Sequence, residues 1–377
     1  MGHGRTDGRV AVWSAKEAEL FDLRIYPSDF PNSLTPGWPL ITIQQSKPRG
    51  IGSVRKPAFS PKVRFYLELK MIENTELETV IAIPPIPFRG GKVAWSAHEK
   101  NIDFLIRHNF LSGNRKRAIA LGGTSLIHHV TSDEYLKIVD LTGQVTEEKA
   151  VFIAGLLPSP ASEALVELEK MMNLRRPPDF LLLMPIAGVV NPEGIRRDLG
   201  RFIEESSDRF GTRSLVYLRQ RSLLDISAQL LNEQAGLEGI KIGTVEEDVA
   251  KCLGQVPESK KVLWGVGDRA TQAARLGSRG HTSGITLVCP RACDGINNAY
   301  REGNFEESSR LEQVIEEFES IRFMEERAYN YSAIVAAAEI AGYEDVELGD
   351  VGPFNAEPPE EVMKRLEGVV ESLADYH

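Results

Sequence analysis

From residue 77 onward the chain alternates between short apolar runs and stretches of helical periodicity, and this alternation is what most limits its possible folds. The runs fall at 80–83, 118–121, 151–154, 180–184, 215–218, 238–242, 262–265 and 282–287. Runs that are apolar throughout, rather than at every second residue, belong to strands buried on both faces. Strands separated by helices pair in parallel. Eight such units predict an α/β fold closed into a (β/α)8 TIM barrel. The competing arrangement is an open doubly wound sheet. Its dinucleotide fingerprint has one loose match, Gly265-Val-Gly-Asp-Arg-Ala, which comes at the seventh run instead of the first.

Helix starts punctuate the pattern. Thr131 followed by Glu134 makes a capping box, in which each side chain satisfies a backbone N–H of the first turn. Asn191 before Pro192 offers an N-cap with proline at the first helical position, and Ser159 before Pro160 offers the same. After the eighth run the pattern is helical only, with helices expected over 305–328, 332–341 and 359–373. The expected organisation is an irregular N-terminal extension at 1–76, a barrel at 77–304 and C-terminal helices at 305–377. The extension carries 7 of the 21 prolines and shows no sustained period. It reads either as a tail, or a start assigned too early with Met71 opening the compact part, or as an ordered extension.

Charge is uneven. Residues 1–70 hold 11 Lys and Arg against 6 Asp and Glu, whereas the whole chain carries a net charge of −10. The acidic balance argues against nucleic acid or an anionic membrane as partner. No run approaches the roughly 18 apolar residues of a membrane span. Three cysteines, Cys252, Cys289 and Cys293, are too few for a disulfide scaffold and fit a reducing cytoplasm. His128 and His129 lack ligands at metal spacing, so no metal and no external cofactor is expected. The acidic run from Glu306 to Glu326 reads as a solvated helix face.

In a barrel, chemistry sits at the C-terminal ends of the strands. Lys241, in Gly-Ile-Lys-Ile-Gly-Thr, lies near the end of the sixth run. Burial lowers a lysine's pKa and leaves a nucleophilic amine able to form a Schiff base; the plainer alternative is a lysine snorkelling into water. Tyr217 lies near the end of the fifth run and is either a proton relay or a core tyrosine. Gly122-Gly-Thr-Ser follows the second run, where its N–H groups and hydroxyls can cradle a carboxylate or simply make a turn. Together these three features supply what a 2-oxo acid needs.

On these residues the sequence resembles the dihydrodipicolinate synthase / N-acetylneuraminate lyase superfamily of class I, pyruvate-type aldolases and lyases, as a divergent member. The resemblance covers about residues 77–375. Lys241 matches the Schiff-base lysine, Tyr217 the catalytic tyrosine, and 121–125 (Leu-Gly-Gly-Thr-Ser) the carboxylate loop. Asp103-Phe-Leu-Ile, the Thr131 helix start and Val151-Phe-Ile-Ala-Gly follow the pattern too. Residues 280–284 (Gly-His-Thr-Ser-Gly), with Pro290, resemble members acting on 2-keto-3-deoxy sugar acids. The chain departs from the pattern at Leu126, where the family has glutamate, and at Pro185-Ile-Ala, where it has Pro-Tyr-Tyr. Gly123 stands for the first loop threonine, and Ser222 for the arginine that grips a dicarboxylate.

The resemblance implies a metal-free lyase, an aldolase or dehydratase, acting on pyruvate or a 2-keto-3-deoxy acid through a lysine imine. It implies catalytic roles for Lys241, Tyr217 and Thr124. Substrate contacts are implied for Gly123, Ser125, Arg219, Arg221, His281 and Ser283. It also implies a homodimer or homotetramer. Two alternatives stay open: a non-catalytic 2-oxo-acid-binding or assembly protein on the same barrel, and a metal-dependent barrel lyase.

Overall fold

The computed structural model describes Gly4–Thr6, Arg9–Ala11 and residues 73–377. The two short N-terminal segments pair antiparallel, Arg5 opposite Val10, within the Met1–Lys56 unit. Apart from that pair, the expected irregular extension lies outside the described residues up to residue 72.

In the Pro57–His377 unit eight strands close into a parallel barrel in chain order: β1 Val80–Ala82, β2 Ala118–Leu121, β3 Val151–Leu156, β4 Phe180–Leu183, β5 Ser214–Leu218, β6 Leu237–Ile242, β7 Lys261–Trp264 and β8 His281–Ser283. The apolar runs are strands because both faces need cover. Side chains pointing in fill the barrel, and those pointing out meet the helices, so nearly every strand residue is buried. The open doubly wound alternative is thereby corrected. β8 is shorter than the run 282–287 implies: the Ile285 carbonyl accepts from the Val288 and Cys289 N–H groups, so the chain turns there instead of continuing the ladder.

The helices are α1 Trp95–Arg107, α2 Ser132–Thr146, α3 Ala161–Met172, α4 Pro192–Phe210, α5 Leu224–Glu233, α6 Glu247–Leu253, α7 Thr271–Arg275, α8 Pro290–Arg301, α9 Phe305–Arg327, α10 Ser332–Ala341 and α11 Glu360–Leu373. The Thr131 capping box is present in full, and Asn191 Oδ1 accepts from the Gly194 N–H at 2.8 Å with Pro192 at the first position. Ser159 does not cap α3. The cap position is Pro160, which has no side-chain acceptor, so the helix starts one residue later than expected.

The acidic stretch is not wholly solvated. Glu319 is fully buried and is paired with Arg322 on the next turn of α9. The end of α9 is also not regular. Met324 is extended, and Glu325, Glu326 and Arg327 take φ of 48, 57 and 78°. A non-glycine residue in that left-handed region costs about 1–3 kcal/mol, so three in succession need external support.

Candidate active site

β5 and β6 lie side by side in a register that sets Lys241 directly opposite Tyr217. In parallel neighbours, opposed residues point to the same face. The Lys241 ammonium nitrogen stands 4.1 Å from the centre of the Tyr217 ring. Lys241 is only 5% exposed and has no carboxylate partner among the described residues. The lysine therefore does not snorkel into water.

Two glycines make this arrangement possible. A Cβ at Gly265, after β7, would lie 2.7 Å from both Cγ and Cε of Lys241. A Cβ at Gly243, after β6, would lie 2.5 Å from Cε2 of Tyr217. The loose dinucleotide fingerprint thus has another cause: its first glycine clears space for the lysine stem. Gly265→Ala is expected to cost about 1–3 kcal/mol by overpacking and to displace Lys241. A urea unfolding curve together with a lysine-trapping assay checks both effects.

The electrostatics favour an amine that loses its proton readily. Burial lowers the Lys241 pKa most, and the nearby Arg219 and Arg327 charges push the same way, against the Tyr217 oxygen. Burial alone pushes the Tyr217 phenol up. The Lys241, Arg219 and Arg327 charges, with the Arg219 hydrogen bond, outweigh it and bring it down to about 8. Arg219 Nη1 donates to the Tyr217 hydroxyl at 3.3 Å.

After β2, the turn at Gly122 uses some of its own donors. The Ser125 N–H donates to the Gly122 carbonyl at 3.1 Å, and the Gly122 N–H donates to Ser125 Oγ at 3.2 Å. Ser125 is therefore buried as a turn brace. The N–H groups of Gly123 and Thr124 have no protein acceptor among the described residues, and Gly123 is exposed. Those two donors are what the loop offers an anion. The side chain of Asn330, between α9 and α10, donates to Thr124 Oγ1 at 3.1 Å. Its Oδ1 in turn accepts from Arg322 Nη2 at 2.7 Å.

Other expected contacts are not brought together. Arg221 donates to the buried Asp248 at 2.9 Å, so its guanidinium is committed to α6. His281 is fully buried with both ring nitrogens engaged, Nδ1 to the Tyr300 hydroxyl at 3.0 Å and Nε2 to Asp268 at 3.2 Å. Ser283 Oγ donates to Cys293 Sγ at 3.4 Å. Period-2 alternation accounts for this. His281 and Ser283 share the outer face of β8 toward α8, leaving Thr282 on the other face. Neither residue is aimed at Lys241. Sequence reading missed Arg327 and Asn330, since their stretch reads as the end of one helix and the gap before the next. Among the described residues no cluster of three or more His, Cys, Asp or Glu side chains is placed to hold a metal ion.

The family model described as the dihydrodipicolinate synthetase family matches residues 215–368, from the Tyr217 strand through α11. The 4-hydroxy-tetrahydrodipicolinate synthase of Thermodesulfovibrio yellowstonii is 25% identical over 244 residues, covering 63% of this chain and 80% of that protein. Over residues 215–368 the chain is similar to the dihydrodipicolinate synthetase family. The Pelagibacter ubique 4-hydroxy-tetrahydrodipicolinate synthase is 24% identical over 270 residues, 70% of this chain and 88% of that one. Among solved structures, the dihydrodipicolinate synthase from Bacillus clausii has the same fold. Its TM-score is 0.71 at 21% identity, over 79% of this chain and 98% of that one. No helix of the described residues is long and apolar enough to cross a membrane.

Proposed function

We propose that the protein is a Schiff-base lyase acting on a 2-oxo acid such as pyruvate or a 2-keto-3-deoxy sugar acid. The observation that carries the reading is the buried Lys241 amine, without a carboxylate partner, held against Tyr217. The substrate carboxylate docks on the Gly123 and Thr124 N–H groups, with the Thr124 hydroxyl oriented by Asn330. Neutral Lys241 Nζ attacks the C2 carbonyl carbon. The carbinolamine oxygen takes a proton and leaves as water, giving the protonated imine. That cation accepts an electron pair from the C3–C4 bond, or from C3–H, so either cleavage or dehydration can follow. Tyr217 carries the proton, which its lowered pKa suits near neutral pH. Hydrolysis of the imine restores the lysine. The protein works as a homodimer or homotetramer in the cytoplasm, and no external cofactor enters the cycle.

Incubation with pyruvate and borohydride tests this reading. The expected result is a stable adduct on the peptide that contains Lys241. If neither pyruvate nor longer 2-oxo acids leave an adduct, the Schiff-base mechanism is wrong. An adduct without C3-proton exchange or turnover on any 2-keto-3-deoxy acid would favour a binding protein instead.

A further inference from the structure

We propose that the buried Glu319–Arg322 pair of α9 acts, through Asn330, as a positioning device that commits the Thr124 hydroxyl to donate its proton to the substrate carboxylate. The inference rests on the Schiff-base reading of Lys241 and its carboxylate loop, and adds the residues of the C-terminal helices that set the polarity of that loop.

The group at the far end of this chain of contacts fixes its direction. A guanidinium can only donate. The Asn330 atom that Arg322 Nη2 meets at 2.7 Å is therefore the amide oxygen. That leaves the amide nitrogen facing Thr124 Oγ1 at 3.1 Å, where it too can only donate. Thr124 Oγ1 is thereby the acceptor, and its own proton is left over. No acceptor for that proton lies among the described residues. Together with the Gly123 and Thr124 N–H groups it makes three uncommitted donors on two consecutive residues, which is what a carboxylate requires. With the amide turned the other way, its oxygen would take the Thr124 proton and its nitrogen would face the N–H of a cation. Arg322 excludes that orientation.

The arginine is held in place on all sides. Arg322 and Glu319 are both buried and paired with each other. Such a pair loses the hydration of two charges and is a weak source of stability. This one is also incompletely satisfied: Glu319 Oε2 and Arg322 Nε have no hydrogen-bond partner among the described residues. Yet the barrel makes room for it. A Cβ on Gly267, after β7, would collide with Glu319 Oε2, and one on Gly284, after β8, would collide with Arg322 Nη2. The guanidinium so placed at the end of the eighth strand reaches the turn after β2 through Asn330. Beside Asn330, the Tyr331 hydroxyl donates to the Ile86 carbonyl at 2.8 Å, which ties down the backbone that carries the amide. A costly buried pair, accommodated by two glycines and ending on the loop hydroxyl, is accounted for by the polarity it imposes there.

Asn330→Asp reverses the polarity. A carboxylate keeps the bond to Arg322 but can only accept, so Thr124 has to donate to it and turns a lone pair toward the substrate. The readouts are half-saturation by pyruvate in borohydride trapping, and the thermal shift that pyruvate produces, which needs no covalent step. Half-saturation is expected to rise about tenfold or more, the size of one hydrogen bond to a charged group, and the thermal shift to shrink. Trapping at saturating pyruvate still goes to completion. In a Thr124→Val background the same substitution is expected to change half-saturation by less than about twofold, because the hydroxyl it redirects is gone. Glu319→Met combined with Arg322→Met removes both charges together, frees the amide to turn, and should raise half-saturation less than Asn330→Asp does, again only where Thr124 is present. If that double variant does not fold, the Asn330→Asp comparison decides alone. Unchanged half-saturation in a folded Asn330→Asp protein would overturn the proposal, as would a loss of equal size in the Thr124→Val background. Absence of any adduct with pyruvate in the wild type would overturn the Schiff-base reading instead, and the thermal shifts then still decide the role of Thr124. Absence of both adduct and thermal shift would overturn the two together.

Discussion

Replacing Lys241 by methionine is expected to abolish borohydride-trapped adduct and drop turnover to the uncatalysed background, while the protein melts at an equal or higher temperature. Both halves follow from the same burial. The amine is 5% exposed and has no carboxylate to offset its desolvation, so the folded state holds it at a cost. A thioether of similar volume removes that cost, and with it the nucleophile. Mass spectrometry of the trapped protein and a calorimetric melt on the same sample check the two expectations. A marked fall in melting temperature would mean that Lys241 is a structural residue.

Tyr217→Phe gives the second large effect. The ring stays and only the hydroxyl goes, so packing beside Lys241 is kept. Loss of a positioned proton carrier is expected to lower kcat by about 10²–10⁴-fold. The pH profile should change with it. The phenol sits at about 8, below the usual tyrosine value, because the neighbouring cations overcome its burial. Below that pH it holds the proton that the leaving water needs; above it the proton is gone. Wild-type kcat should therefore decline as pH rises through about 8, as the coupled pair loses a proton. The decline should be missing from the residual activity of Tyr217→Phe. Ultraviolet difference titration should show one tyrosinate forming near that pH in the wild type and none there in the variant. An unchanged profile would remove Tyr217 from the proton path.

Much of the centre was legible in the chain because it lies at strand ends. Lys241 and Tyr217 lie near the ends of two apolar runs, and sheet register alone brings such residues together. Gly122-Gly-Thr was legible as a turn rich in donors, although its internal bonds show that Ser125 serves the turn. His281 and Ser283 read as mouth residues because they lie in a strand, but which face each occupies depends on phase. A one-residue offset reverses it. Arg221 and Arg219 are two residues apart and indistinguishable by composition. Only the presence of Asp248 on α6 commits the former elsewhere.

The sequence by itself determined the barrel, since apolar runs alternating with helical periods encode burial locally, residue by residue. It also determined the lysine and tyrosine at adjacent strand ends. The tertiary structure decided which further side chains reach them. Glu325, Glu326 and Arg327 have no local reason to leave the helix, and their left-handed backbone is locally unfavourable. It persists because Asn330 and Tyr331 are fastened to residues of other elements far away in sequence, and Arg322 is tied in turn to Asn330. A conformation paid for by long-range contacts leaves no periodic signal in the chain, so Arg327 and Asn330 become visible at the site only once the barrel has closed around them.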